Sequence, residues 1–145
     1  WYTMVNHKWD YENFLGLFLI NDVIIMTGLF SYPKRKLRKM ISQGEYDTAI
    51  EFGNELEAKF SQDPDFLFIM GSMFYMLNDE KKTLHYIDRV LEINPFDVES
   101  LSLKLRVHQF LEENDIAIEC CKKILDVAPD NFEVRDLITE LESQS

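Results

Sequence analysis

The side chains with chemical potential in this 145-residue chain are two cysteines, three histidines and one dense basic run. Cys120 and Cys121 are adjacent. A helix points neighbouring side chains about 100° apart, which is poor geometry for a structural bridge. They read as packing residues, and the absence of a disulfide framework favours a reducing, intracellular setting. His7, His85 and His108 share no spacing with one another or with the cysteines, so neither a metal set nor a nucleophile with a base emerges. No glycine-rich phosphate loop is present. The expectation is a protein that is not an enzyme and carries no cofactor and no metal.

Charge narrows the partner class. Lys34, Arg35, Lys36, Arg38 and Lys39 crowd into six positions. From Met40 onward nine basic residues face twenty-three acidic ones, a balance of −14. Such a surface repels phosphate backbones, so nucleic acid is excluded as a general ligand and a protein or peptide partner, most easily a basic one, is expected. The basic run reads either as a solvated helix face or as a contact for anionic lipid or an acidic partner.

The elements that must position these groups follow from a repeat. With only four prolines and five glycines and abundant Leu, Ile, Glu, Asp and Lys, the composition suits an all-α chain. Compared with itself at an offset of 34, the chain matches Ala49, Thr83 and Ala117, then Ile50, Leu84 and Ile118, then Leu56, Val90 and Ile124. Leu67 pairs with Leu101, and Pro95 with Pro129. Small residues let two helices approach while the large apolar residues three and four positions away fill the seam. A helix pair cannot cover its own apolar face, so neighbouring pairs must share one core. Asp97 and Asn131, two residues past the prolines, are placed to cap the next helix.

These residues resemble the tetratricopeptide repeat. Residues 64–97 carry the fullest match, with Leu67, Met70, Gly71 and Phe74 in the first helix and Thr83, Ile87 and Pro95 in the second. Residues 98–131 keep Leu101, Ala117 and Pro129 but put Lys104 and Leu105 where Leu-Gly is usual and His108 where an aromatic is usual. The earliest unit, 33–63, is signalled by Gln43-Gly44-Glu45-Tyr46-Asp47-Thr48-Ala49-Ile50. Helices are expected at about 34–43, 46–60, 65–77, 81–93, 98–111, 115–127 and 132–142. The last would be a capping helix within residues 132–145, placing Phe132, Leu137, Ile138 and Leu141 on one side. The resemblance implies antiparallel helix-turn-helix units, three over residues 33–131, stacked in a right-handed superhelix.

The family's function, holding a partner protein in a groove lined by the first helix of each unit, is then the expectation for this chain: a non-catalytic scaffold, adaptor or assembly subunit in the cytoplasm. The family's groove positions fall on Lys34 and Arg38 in the first unit. They fall on Asp65, Phe68, Ser72, Tyr75 and Met76 in the second, and on Glu99, Ser102, Arg106, Gln109 and Phe110 in the third. The Lys and Asn pair by which some members grip a chaperone's terminal carboxylate is not reproduced, because the ninth positions are Arg38, Ser72 and Arg106.

Residues 1–32 stand apart. The run 14–30 is apolar on every side except at Asn21 and Asp22. One reading is a membrane anchor, with Trp9, Tyr11 and Tyr32 as interfacial belts and 34–39 as the cytoplasmic positive flank, making the protein a subunit of a membrane complex. The other is a cap or docking surface for the repeats, with Asn21-Asp22 at a turn, since Asp22 would cost about 2.5–3.5 kcal/mol near a bilayer centre.

Overall fold

A computed structural model of the chain describes residues 32–145. The segment 1–31, including the apolar run 14–30 and the choice between anchor and cap, lies outside the described residues. No helix among the described residues is long and apolar enough to cross a membrane.

Among the described residues all regular structure is helical. The helices are α1 (Tyr32–Ser42), α2 (Tyr46–Phe60), α3 (Pro64–Met76), α4 (Glu80–Ile93), α5 (Val98–Phe110), α6 (Asn114–Val127) and α7 (Phe132–Ser143). Each end lies within two residues of the expectation. The largest difference, two residues, is at the start of α1, which takes in Pro33, and α3 opens one residue early on Pro64. Proline is tolerated in a first turn because its missing N–H would have no partner there.

The chain divides into two compact units, Trp1–Ala58 and Lys59–Ser145. In the first, α1 and most of α2 are joined by a tight turn at Gly44 (φ 74°). There Gly44 N–H donates to Ile41 O at 3.0 Å and Glu45 N–H to Met40 O at 2.9 Å, the paired bonds of a Schellman cap. Ala49 is fully buried, and Lys36 Nζ sits 4.6 Å from the centre of the Phe52 ring.

The same turn recurs in the second unit. Asn78 (φ 55°) and Glu112 (φ 58°) stand 34 and 68 residues after Gly44, and each heads the same two bonds: Asn78 N–H to Tyr75 O and Asp79 N–H to Phe74 O, then Glu112 N–H to Gln109 O and Glu113 N–H to His108 O. The 34-residue period is therefore written into the backbone as well as the side chains. The connections after α4 and α6 repeat in the same way, with Asp97 N–H bonded to Asn94 O and Asn131 N–H to Ala128 O. As expected, both residues cap: Asp97 Oδ2 accepts Ser100 N–H at 2.9 Å and Asn131 Oδ1 accepts Val134 N–H at 3.1 Å.

In the second unit each helix packs on the next along the chain, α3 on α4, α4 on α5, α5 on α6 and α6 on α7, the nearest-neighbour pattern of a repeat stack. Leu67, Met70, Ile87 and Thr83 are fully buried. Gly71 lets the two helices meet closely, since a Cβ added there would lie 2.8 Å from Ile87 Cδ1. Thr83 fits its small-residue position by turning its hydroxyl onto Asp79 O at 2.8 Å. Phe74 and Tyr86 stack with ring centres 5.7 Å apart. A second cluster gathers Leu101, Leu105, Ala117, Cys120, Cys121 and Ile124 with Leu137 and Leu141 of α7. Both cysteines are free and buried.

Two departures from the family pattern are resolved locally. Lys104, on the position of a usual leucine, sends Nζ to Asp88 Oδ1 of α4 at 2.7 Å. His108, on the position of a usual aromatic, is buried, and its Nδ1 meets Glu113 Oε2 at 3.0 Å. One expectation is corrected. Phe132 is 66% exposed, not on the buried side of α7, and Arg135 covers its ring. At about 100° per residue Phe132 projects opposite Leu141, and Val134 takes the core side in its place.

Candidate partner-binding face

The first helices of the two units within Lys59–Ser145, α3 and α5, carry ten of the twelve groove positions. Their start points are fixed by caps. Asp63 Oδ1 accepts Asp65 N–H at 2.9 Å and Phe66 N–H at 3.3 Å, and Asp97 does the corresponding work for α5. Because a capped start fixes the helical phase, positions three and four apart form one stripe, so Asp65, Phe68, Ser72, Tyr75 and Met76 lie along a single side of α3.

On that stripe Asp65, Phe68, Tyr75 and Met76 are half-buried, whereas Ser72 is buried and its Oγ has no hydrogen-bond partner among the described residues. On α5, Ser102, Arg106 and Gln109 are half-buried, Glu99 is exposed, and Phe110 is 72% exposed. The Ser102 hydroxyl donates to Val98 O at 2.7 Å, a bond within its own helix. Lys34 and Arg38 belong to α1 in the first unit, where Lys34 is half-buried and Arg38 buried.

Two electrostatic influences run between residues of α3 and α5. Towards the helix C-termini the Arg106 guanidinium lies close enough to Tyr75 to act on its phenol. Burial pushes the Tyr75 hydroxyl above its usual range, and the Arg106 charge and hydrogen bond oppose that rise. At the N-terminal ends the charges of Asp97 and Asp65 reach Glu99. Loss of hydration raises the Glu99 carboxyl above the ordinary carboxylate range, and the like charges of Asp97 and then Asp65 raise it further. Asp97 was legible in the sequence only as a cap; its adjacency to the groove position at Glu99 was the available signal for a third carboxylate here.

Two hollows lie in the second unit. A shallow recess of about 400 Å³ is bordered by residues 112–116 and Ser145. A second hollow of about 30 Å³, lined by Lys104, Cys120 and Lys123 among others, has room for roughly one water. Among the described residues no group of three His, Cys, Asp or Glu side chains is placed to hold a metal ion. Both thiols are held in their protonated form by burial, Cys121 pushed up to about 11.

No protein-family profile and no curated protein matches the sequence. Among solved structures the chain is similar to the first tetratricopeptide-repeat domain of Spaghetti (RPAP3), bound to the HSP90 peptide SRMEEVD, at 18% identity and a TM-score of 0.67, over 78% of this chain and 90% of that one. With the 34-residue recurrence of side chains, turns and caps, that likeness establishes that the chain has the tetratricopeptide-repeat fold.

Proposed function

We propose that this protein is a non-catalytic interaction module that holds a segment of a partner protein along the face of α3 and α5. The observation that carries the reading is the composition of that face. Phe68, Tyr75 and Met76 are only half-buried, Phe110 projects into solvent, and the half-buried Arg106 places its charge where it acts on Tyr75. Aromatic and arginine side chains are those that most often anchor a protein interface. The similar domain of Spaghetti (RPAP3) holds a peptide, which supports the same use of this fold here. Scaffolding or subunit assembly is the role such a face serves.

The test is site-specific photo-crosslinking in cells, with a benzophenone amino acid at Phe68 or Phe110 and, as the control, at Glu140 on α7. The expected result is one reproducible protein adduct from both α3 and α5 positions, absent from the control and lost on Arg106→Glu with helix content unchanged. Adducts of equal yield from all three sites would remove the groove as the binding surface.

A further inference from the structure

Helix α1 sorts its five cations onto two sides. At about 100° per residue, Tyr32, Arg35, Lys36 and Lys39 fall within one arc about 100° wide, and all four are exposed. Lys34 and Arg38 project from the opposite side together with Leu37 and Ile41, where Arg38 is buried and Lys34 half-buried. The exposed face therefore runs about 10 Å along the helix, from Tyr32, which is 67% exposed, to Lys39. Helix α1 contains no carboxylate. Among the described residues neither Arg35 nor Lys39 has an ion-pair partner, and Lys36 Nζ rests over the Phe52 ring at 4.6 Å. In a chain of net charge −11, solubility does not call for three uncompensated cations on one face.

We propose that this face docks on the headgroup layer of an anionic lipid membrane. The apolar side chains of α1 already belong to the core, with Leu37 0% and Ile41 3% exposed, so the helix rests on the headgroups and does not insert. An acidic protein is the poorer match. A stable protein interface closes over an apolar, water-free centre, and Tyr32 is the one apolar side chain exposed on this face. A headgroup layer requires no such centre: it offers many anionic groups to a short row of cations, and a ring with a polar tip suits the membrane–water boundary. In the sequence the apolar run 14–30 ends two residues before Tyr32. Basic charge and apolar sequence, the two signals that stable membrane attachment takes, are thus adjacent. The inference is independent of the α3/α5 face.

The test is cosedimentation of the full chain, in about 0.1 M salt, with vesicles of phosphatidylcholine alone or with about 30 mol% phosphatidylserine. Two variants lose the same charge. One carries Arg35→Gln, Lys36→Gln and Lys39→Gln on the face; the other carries Lys59→Gln, Lys81→Gln and Lys122→Gln at exposed positions of α2, α4 and α6. Each cation beside an anionic surface is worth about fivefold in partition. The face variant should therefore bind phosphatidylserine vesicles on the order of a hundredfold less, with binding to phosphatidylcholine unchanged. The control should change by less than about twofold, and Arg35→Lys should bind as the parent does. Should circular dichroism show that the triple face variant loses helix, Arg35→Gln with Lys39→Gln, which leaves Lys36 over Phe52, decides instead. Equal partition of the parent chain into both vesicles, or equal loss in both variants, would overturn the site. Binding of soluble polyglutamate through the same three cations, with no preference for phosphatidylserine, would overturn it as well and give the face to an acidic protein.

Discussion

Gly71 and Ile87 are in contact across the α3/α4 seam: a Cβ on Gly71 would stand 2.8 Å from Ile87 Cδ1, 3.0 Å from its Cγ1 and 3.3 Å from Tyr86 Cβ. Gly71→Leu should therefore cost about 1–3 kcal/mol by overpacking. Gly71→Ala is gentler, since the nearest atom is the mobile end of Ile87 and alanine gains about 1 kcal/mol of helix propensity. In the Gly71→Leu background, Ile87→Val should recover part of the loss, although alone it costs about 0.5–1.5 kcal/mol. Urea denaturation of the four-member cycle measures the coupling; strict additivity would mean that the two residues do not meet.

Glu112 adopts the left-handed conformation that Gly44 adopts 68 residues earlier. A residue with a Cβ pays about 1–2 kcal/mol there, partly offset by the greater entropy that glycine loses on folding. Glu112→Gly should thus stabilise by about 0.5–1 kcal/mol. Gly44→Ala should destabilise by a comparable amount through backbone strain alone, because a Cβ there would meet nothing within 4 Å. Paired melting curves with shifts in opposite directions are the expected result.

The Asp63 carboxylate accepts two N–H groups at the start of α3. Asp63→Ala should lower stability by about 1 kcal/mol and Asp63→Asn by less, since the amide oxygen still accepts. Chemical denaturation separates them, and equal losses would mean that the cap contributes through its charge and not through its hydrogen bonds.

The Lys104–Asp88 pair is partly solvated, with side-chain exposures of 25% and 49%. Its net contribution should stay below about 1 kcal/mol. Lys104→Leu, the family's usual residue, should leave the melting temperature unchanged or raise it, as apolar replacement of partly buried ion pairs often does. A large fall would show that the pair organises the α4/α5 contact.

Burial holds the Cys121 thiol at about 11 against an ordinary 9.0. Because the folded value lies above the unfolded one, this group's contribution is intact below pH 9 and is lost as pH rises towards 11. Cys121→Ala should flatten the alkaline decline of stability over that window relative to the parent chain. At pH 8 both thiols should react with a disulfide reagent only after unfolding; fast reaction in native buffer would contradict their burial.

The sequence by itself determined the repeat. A 34-residue recurrence of small residues, apolar residues and prolines fixes helix pairs that cannot stand alone, and Asp97 and Asn131 announce the caps because a side-chain oxygen is what a helix start requires. It also placed Phe68, Tyr75 and Arg106 on helical stripes, since phase follows from spacing within one helix. What it left undecided were relations between helices and between backbone conformations. Asn78 and Glu112 carry no glycine to mark their left-handed turns, and Phe132 was assigned to the core of α7 although its angle from Leu141 sets it in solvent. Only the tertiary structure put the Arg106 charge within reach of Tyr75 and the Asp65 charge within reach of Glu99. Those pairs lie 31 and 34 residues apart, and whether one charge reaches the other is set by how closely the small residues between the helices allow the neighbouring pairs to pack.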